Sequence, residues 1–181
     1  MKKKICSYIL FKLMGYKVIV TEQIPDKCII ALAPHTSNWD FIIGNLYASA
    51  VGLKSNFLMK KEWFFWPLGY MMRALGGIPV YRDKRSKATE KIAQQAKEAE
   101  TFRLCITPEG TRKANPEWKK GFYYIALNAN IPILLYGLDF EKKMIVCTKT
   151  FMPTNDIEKD MKEIKDYFKD FKGKHRNRFA Y

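Results

Sequence analysis

The sequence predicts a single α/β domain with a mostly parallel central sheet flanked by helices. Three observations support this prediction. Short apolar runs alternate with helical patterns along the 181 residues, which is typical of strand–helix–strand units. The run 28–33 is almost continuously apolar, as expected of a strand that is buried on both faces. An apolar content of 48% is enough for one sizeable core, and no repeat or linker divides the chain. We therefore expect one domain over residues 1–181.

The strands are predicted from short apolar and β-branched runs bounded by turn residues. The first of them follow a lysine-rich start, and the buried run 28–33 comes next. The predicted strands cover residues 17–20, 28–33, 56–59, 77–80, 102–106, 132–138 and 143–148.

The helices are predicted from apolar residues at helical spacing and from their start signals. Ser37 and Asp40 have the spacing of a capping box at the start of the first helix after residue 33. Between the third and fourth strands lies an aromatic segment, 63–72, that is interrupted by a proline; it suits either the core, an acyl-chain groove or contact with a membrane interface. The predicted helices cover residues 38–53, 86–100, 118–128 and 156–171.

The amino terminus is basic and amphipathic. Residues 1–20 contain five lysines and no acidic residue, with apolar side chains between the lysines. We expect residues 1–15 to form an amphipathic helix that lies either on an anionic membrane surface or on the domain itself. No stretch reaches the roughly 20 apolar residues that span a bilayer, so we expect the chain to lie on a membrane and not to cross it.

The net charge of +14 calls for anionic partners. An anionic membrane surface, an acidic carrier protein and a phosphorylated coenzyme all fit this charge, and the sequence contains no nucleic-acid-binding motif, so we expect no nucleic acid partner. The four cysteines form no ligand cluster, which favours reduced thiols in the cytoplasm and no metal site. The basic tail 172–178 is expected to be loose.

A histidine stands at the start of the first helix that follows a buried strand. His35 is one of two histidines, and Asp40 lies five positions after it. A neutral imidazole oriented by a carboxylate is the simplest general base that a protein can build. Asp40 has a second explanation as a helix cap, and the two roles are compatible.

A second polar loop follows the strand 102–106. Glu109, Gly110, Thr111 and Arg112 come directly after Pro108, and Gly110 suits a tight turn. The guanidinium of Arg112 is either a solvated surface charge or a clamp for phosphate or carboxylate. Because ligands bind beyond the carboxyl ends of parallel strands, we expect this loop and His35 to face the same site.

Taken together, four ordered blocks resemble the glycerolipid acyltransferases, the family that includes the lysophosphatidic acid acyltransferases. Residues 35–40 (HTSNWD) resemble the HxxxxD motif, and 76–82 (GGIPVYR) are similar to the second block, which ends in a substrate-binding arginine, here Arg82. Residues 108–112 (PEGTR) match the EGTR block, and 131–133 resemble the start of the fourth block. HxxxxD alone is weak, but the ordered set is specific.

The resemblance implies a glycerol-3-phosphate acyltransferase-like fold and an enzyme that transfers an acyl group to a lipid hydroxyl. His35 would act as the general base and Asp40 would orient it, while Arg82, Gly110, Thr111 and Arg112 would bind the acceptor. Glu109 would belong to the same substrate-binding loop, where it would either order the loop or contact an acceptor hydroxyl. No bound cofactor or metal is implied. The co-substrate would be an acyl thioester of coenzyme A or of acyl carrier protein, and the acceptor a lysophospholipid such as 1-acyl-glycerol-3-phosphate. The expected location is the cytoplasmic face of a membrane, as a peripheral protein.

The sequence departs from the family pattern at two positions. Pro34 stands where many members have asparagine, and Leu135 stands where a second proline is common in the fourth block. Two alternatives therefore stay open: an acyltransferase for another lipid acceptor, and a lipid-binding protein of the same fold without activity.

Overall fold

A mixed sheet with a parallel centre forms the middle of the protein. The computed structural model describes residues 2–80 and 85–181. Within them the strands are β1 (Lys17–Val20), β2 (Lys27–Ala33), β3 (Asn56–Lys60), β4 (Gly77–Val80), β5 (Phe102–Ile106), β6 (Ile133–Asp139), β7 (Met144–Cys147) and β8 (Thr150–Phe151). Their order across the sheet is β1-β7-β6-β2-β5-β3-β4, and the short strand β8 pairs with β6. The strands from β6 to β4 are mutually parallel, whereas β7 runs antiparallel to β6 and carries the edge strand β1 with it. The predicted α/β class with a mostly parallel sheet is confirmed.

The strands lie close to their predicted positions. Strand β8 was not predicted, because a pair of residues is too short to show alternation.

The helices flank the sheet on both faces. They are α1 (Lys2–Ser7), α2 (Asn38–Val51), α3 (Leu68–Ala74), α4 (Arg85–Glu98), α5 (Gly121–Ala129) and α6 (Ile157–Phe168). Helix α1 continues as a π-helical segment, Tyr8–Leu13, and single 3₁₀ turns cover Lys61–Trp63 and Arg176–Arg178. The sequence did not predict α3, because Pro67 and the aromatic residues before it obscure the helical period of this short helix.

Each face of the sheet carries its own core. Alternate residues of β2 point to opposite sides, so that Ile29 packs with α4, α5 and α6 while Ile30 packs with α2 and the amino-terminal helix. Strand β6 is buried at every position, as expected for a central strand.

The amino-terminal helix packs on α2 through one side of its surface. Leu10 is fully buried in the core, whereas Ile5, Tyr8 and Leu13 are exposed. The helix therefore docks on the domain and also presents apolar side chains to its surroundings. None of the helices described in the structure has the length and apolar character needed to span a bilayer.

The carboxyl-terminal tail is ordered, so the prediction that it is loose was wrong. The backbone N–H of Phe140 donates to Lys172 O at 2.8 Å, and the indole N–H of Trp118 donates to Ala180 O at 2.9 Å. The ring of Phe171 lies against Gly137 of β6, where any side chain would overlap with it. Specific anchors, which composition does not reveal, fix this basic segment.

The four cysteines are unpaired thiols. Burial raises the pKa of Cys28 to about 11 and the pKa values of Cys105 and Cys147 to about 12. A buried thiol loses reactivity when its thiolate is disfavoured, so these side chains act as small core residues.

Candidate active site

His35 lies in the loop between β2 and α2, at the carboxyl edge of the sheet. A cis peptide bond joins Ala33 to Pro34 at the start of this loop. Ser37 has extended backbone and caps α2, with its Oγ accepting from the N–H of Trp39 at 3.2 Å. Strand β5 lies beside β2 and runs parallel to it, so the loop that follows β5 opens on the same edge. The predicted meeting of the two loops is confirmed.

Asp40 joins the helix cap to the histidine. Its Oδ2 accepts from the N–H groups of Thr36 at 2.7 Å and Ser37 at 2.9 Å, and lies 3.0 Å from His35 Nδ1. Asp40 is fully buried, while the His35 side chain is 21% exposed. An ionised carboxylate has only acceptor sites, so Nδ1 carries the proton and Nε2 keeps a free lone pair. One carboxylate oxygen thus caps the helix and sets the histidine tautomer.

Glu109 lies beneath the histidine loop and is fully buried. Its Oε1 accepts from the backbone N–H of His35 at 2.5 Å. Desolvation raises the pKa of Glu109 to about 8; the His35 hydrogen bond opposes this shift and the charge of Asp40 adds to it. Oε2 of Glu109 and Oδ1 of Asp40 have no hydrogen-bond partner among the residues that the structure describes. The position of Glu109 suits support of the loop and not contact with an acceptor at the surface.

Gly110 turns the second loop away from Glu109. Its φ of 66° lies in the left-handed region, and a Cβ at this position would lie 2.8 Å from Lys119 Cγ. Its N–H donates to Thr107 O at 3.1 Å, which closes the turn. The adjacent Oγ1 of Thr111 accepts from the N–H of Lys113 at 3.3 Å, which ties the threonine side chain to the loop and leaves its O–H free to donate.

Asn115 is a supporting residue that the sequence analysis did not identify. Its Nδ2 donates to Glu109 O at 3.0 Å and to Glu117 O at 2.8 Å, while its Oδ1 accepts from the N–H of Glu117 at 3.1 Å. The only local signal is an asparagine before a proline in a loop. This pattern indicates a turn, but it does not indicate which backbone groups the asparagine side chain binds.

Arg112 links the two loops. It is exposed, and its Nη1 donates to Oδ1 of Asn38, the first residue of α2. This contact holds the guanidinium beside the helix start, close in sequence to His35 and Asp40. Arg82, the other predicted arginine, lies outside the described residues.

The carboxyl-terminal segment 172–175, which we call the strap, also lies on the histidine loop. The N–H of His175 donates to Thr36 Oγ1 at 3.2 Å, and the ammonium of Lys174 lies 4.4 Å from the ring centroid of Trp39. The position of this segment at the site was not predictable from the sequence, because its contacts depend on the fold of the whole chain.

An exposed aromatic group follows β3. Trp66 is 79% exposed and Tyr70 is 74% exposed, with Phe65 and Met71 exposed beside them, whereas Met72 is buried. The possibility that the whole run 63–72 belongs to the core is therefore wrong. Among residues 2–80 and 85–181, no group of three or more histidine, cysteine or carboxylate side chains is gathered as metal ligands would be.

Comparison with known proteins relates this chain to one family. The sequence model of the acyltransferase family matches residues 16–135. A 1-acyl-sn-glycerol-3-phosphate acyltransferase from Pseudomonas aeruginosa is 27% identical over 125 residues, covering 66% of this chain and 47% of its own length. A probable 1-acyl-sn-glycerol-3-phosphate acyltransferase from Mycoplasma pneumoniae is 30% identical over 132 residues, covering 66% and 48% respectively. The chain thus spans about half the length of these curated relatives.

The fold is also similar to that of a solved structure. The crystal structure of PlsC, the 1-acyl-sn-glycerophosphate (LPA) acyltransferase from Thermotoga maritima, superposes with a TM-score of 0.61 at 19% identity, covering 92% of this chain and 76% of that one. At this identity the likeness concerns the fold alone. The resemblance read from the motif blocks is confirmed by the family match over residues 16–135. This chain belongs to the acyltransferase family.

Proposed function

We propose that this chain is an O-acyltransferase that moves a fatty acyl group from a thioester to the hydroxyl of a lysophospholipid-like acceptor. The observation that carries the proposal is the His35–Asp40 pair. His35 Nδ1 and Asp40 Oδ2 lie 3.0 Å apart at the carboxyl edge of the parallel strands. Two relatives of this chain have 1-acyl-sn-glycerol-3-phosphate acyltransferase in their names. We therefore propose 1-acyl-glycerol-3-phosphate as the acceptor.

The chemistry needs a base and no enzyme nucleophile. His35 Nε2 takes the proton of the acceptor hydroxyl as its oxygen attacks the thioester carbonyl, and Asp40 stabilises the imidazolium that forms. The tetrahedral intermediate then collapses, the carbon–sulfur bond breaks, and the imidazolium returns its proton to the leaving thiolate. The products are an ester, which carries the acyl group on the acceptor oxygen, and a free thiol, which carries the proton of the acceptor hydroxyl.

The acceptor is assigned to the side of the site that carries Arg112. A guanidinium can hold a phosphate through two hydrogen bonds, and its contact with Asn38 fixes it near the helix start. Glu109, Gly110 and Thr111 contribute by shaping the loop on which Arg112 stands, with Glu109 below the histidine. Arg82 is proposed as a second phosphate ligand from the resemblance alone.

The donor and the location are proposed from charge. A net charge of +14 suits coenzyme A, which carries phosphates, or an acidic acyl carrier protein. The same charge favours the anionic cytoplasmic face of a membrane, where each basic residue near the surface contributes about 1 kcal/mol. We propose that the amino-terminal helix within residues 1–15 lies on that surface as a peripheral anchor.

Release of free thiol from an acyl thioester, measured with and without 1-acyl-glycerol-3-phosphate, tests the proposal. His35→Ala should lower kcat by about 10²–10⁴-fold, the usual contribution of a general base. Acceptor-dependent release that is equal in His35→Ala and the wild type would refute the mechanism. If neither protein releases thiol from any donor and both bind lipid vesicles, the chain is instead a lipid-binding protein.

Asp40→Asn separates catalysis from helix capping when it is compared with Asp156→Asn. Asp156 also caps a helix, since its Oδ1 accepts from the N–H of Lys159 at 3.2 Å, but it lies at the start of α6. Asparagine caps a helix about as well as aspartate, so Asp156→Asn should lose only the favourable interaction of the charge with the helix start, about 0.3–1 kcal/mol. Only Asp40→Asn should lower kcat by more than about tenfold. Equal kcat values in the two variants would leave Asp40 with capping alone.

Arg112→Ala tests the acceptor assignment. Loss of a charge-assisted hydrogen bond costs about 1.5–3 kcal/mol, so kcat/KM for 1-acyl-glycerol-3-phosphate should fall about 10–100-fold. The value for an uncharged monoacylglycerol should change less than about twofold. Lys113→Ala, an adjacent exposed cation, is the control. Equal losses on both acceptors would mean that Arg112 does not bind the phosphate and that another lipid hydroxyl must be sought.

A further inference from the structure

The strap, residues 172–175, is attached to the sheet at a point next to the histidine loop. Asp139, at the end of β6, accepts from the N–H of Lys172 at 3.3 Å, and the carbonyl of Lys172 accepts from the N–H of Phe140 at 2.8 Å. Asp139 is 2% exposed and its other oxygen accepts from the N–H of Lys142, so the carboxylate is fixed. The start of the strap is therefore part of the rigid end of β6.

The strap is anchored beside Ala33, the last residue of β2 before the histidine loop. Gly137 of β6 pairs with Ala33 of β2, and the Phe171 ring covers Gly137. The chain leaving Phe171 must consequently pass over the turn that begins at Pro34. The register between β2 and β6 therefore determines that the strap lies over the histidine loop.

Gly173 then packs against the loop too closely to bear a side chain. A Cβ on Gly173 would lie 2.6 Å from Thr36 Cγ2, 2.7 Å from Thr36 Oγ1 and 3.2 Å from Pro34 Cβ. Gly173 and Thr36 are both buried. The next two residues add the His175 N–H bond to Thr36 and the Lys174 contact with Trp39.

Thr36 connects these contacts to the catalytic pair. Its side chain touches the strap, while its backbone N–H donates to Asp40 Oδ2 at 2.7 Å, the same oxygen that lies 3.0 Å from His35 Nδ1. A displacement of Thr36 therefore moves a hydrogen bond that holds Asp40. The strap lies outside the 16–135 region that the family model matches.

We propose that the strap is a positioning element of the active site, with Gly173 and His175 fixing Thr36 so that Asp40 holds His35 in its reactive orientation. The strap acts through Thr36 and touches no reacting atom. The proposal rests on the proposed acyl transfer for its kinetic readout, and has a second readout that is independent of it.

Gly173→Ala is the first test, with Gly121→Ala as the matched control. A Cβ at Gly121, the first residue of α5, would meet only Thr89 Oγ1 at an ordinary 3.9 Å within the described structure. Gly173→Ala should lower kcat at least about tenfold while KM for donor and acceptor stays within about twofold, since a misplaced base slows the chemical step and leaves binding intact. Gly121→Ala should match the wild type. A kcat equal to that of the wild type in Gly173→Ala would overturn the proposal.

Thr36→Ala should rescue Gly173→Ala. This substitution removes both Thr36 atoms that the new Cβ would strike, and with them the atoms through which the strap holds Thr36. Thr36→Ala alone should therefore lower kcat about twofold to fivefold, as a loosened strap does, and the double variant should have the kcat of Thr36→Ala and not the lower kcat of Gly173→Ala. Two effects that simply multiply would show that the residues act independently, and would contradict the proposal.

Lys174→Gly keeps the proposal testable if Gly173→Ala fails to fold. Lys174 is exposed, and its replacement loosens the strap without inserting any atom. We expect a twofold to fivefold lower kcat at unchanged KM, against wild-type values for Asn177→Gly, an exposed tail residue beyond the strap. Equal kcat in the two variants would count against the strap.

Hydrogen exchange of the peptide spanning 34–40 gives the readout that does not depend on activity. The N–H groups of Thr36 and Ser37 donate to Asp40, so their exchange should be at least about fivefold faster in Lys174→Gly than in Asn177→Gly. If exchange is faster in Lys174→Gly but the wild-type protein has no transferase activity, the proposed function is refuted and the positioning role of the strap is supported. Unchanged exchange in an active enzyme would refute the strap and keep the function.

Discussion

The carboxyl of Glu109 is held in a place where its charge is unfavourable. It is fully buried, it supports the backbone N–H of His35, and its pKa is raised from 4.5 to about 8. At neutral pH the protonated form therefore predominates, and the acceptor Oε1 still binds the His35 N–H. A neutral carboxyl can give this support without placing a second negative charge beside Asp40.

This pKa makes the stability of the protein depend on pH. The unfolded chain loses the Glu109 proton near pH 4.5, whereas the native protein keeps it to about pH 8. Between these values the native state binds more protons, so the free energy of unfolding falls as the pH rises, by at most about 1.4 kcal/mol per pH unit. The stabilising contribution is complete below pH 4.5 and is lost through pH 8.

Glu109→Gln should remove this dependence, because an amide stays neutral and its oxygen can still accept from His35. Urea unfolding at pH 5, 6, 7 and 8 should give a flatter profile than the wild type, with the difference growing to a few kcal/mol at pH 8. Glu117→Gln, a substitution of an exposed carboxylate on the same loop, should keep the wild-type profile. Parallel profiles for the wild type and Glu109→Gln would contradict the buried titration.

At the residue scale, local contacts were predictable and distant ones were not. The His35–Asp40 and Ser37–Asp40 contacts follow from the geometry of a helix start, which involves neighbours in sequence. Burial of Glu109 under His35 depends on the alignment of β2 with β5, and nothing in the loop sequence states that alignment. The functional roles of these residues stay predictions until the variants are measured.

At the scale of elements, the amino-terminal helix has two different sides. Leu10 is fully buried, so removing the helix would open the core and confuse binding with unfolding. The exposed side chains Ile5, Tyr8 and Leu13 can be changed without this effect, since they are 51%, 59% and 66% exposed.

Replacement of these three exposed residues by serine should weaken membrane attachment. Burial of an apolar side chain in the interface contributes about 1 kcal/mol or more, so partitioning onto vesicles with phosphatidylglycerol should fall at least about tenfold in a sedimentation assay. The melting temperature should stay within a few degrees of the wild type.

Tyr8→Ser and Tyr124→Ser form a matched pair for this prediction. Tyr124 is also an exposed tyrosine, but it lies on α5, which packs on the opposite face of the sheet. Only the Tyr8 variant should bind vesicles more weakly. Equal losses of vesicle binding in the two tyrosine variants would mean that any exposed aromatic side chain contributes and that the amino-terminal helix is not a specific anchor. Unchanged binding in the triple variant would contradict a membrane role for the helix.

The tail and the amino-terminal helix show why composition misjudges elements. Both are basic, which suggests solvent exposure, yet Leu10 inserts into one core and the Phe179 ring packs against Trp118 beside the other. One or two apolar anchors at the correct place fix a segment that is otherwise charged. Composition averages over these anchors and therefore does not detect them.

At the scale of the whole molecule, the sequence predicts the class of the fold better than its topology. Buried apolar runs identify β2 and β6, because central parallel strands covered on both faces are apolar on both faces. The reversed direction of β7 was not predictable, since a strand's sequence carries its burial pattern and not its direction. Among the residues that the structure describes, β1 pairs with β7 alone and therefore forms an edge of the sheet.

The buried cysteines have a practical consequence for detecting the thiol product. Chromogenic disulfide reagents react with thiolates, and at pH 8 Cys28, Cys105 and Cys147 remain protonated, with pKa values of about 11 to 12. Cys6, on the partly exposed amino-terminal helix, is the remaining thiol. The colour developed in such an assay should thus report thiol liberated from the acyl donor over a fixed background of about one equivalent per chain. Because this background does not grow with time, the rates of slow variants can be measured at high protein concentration.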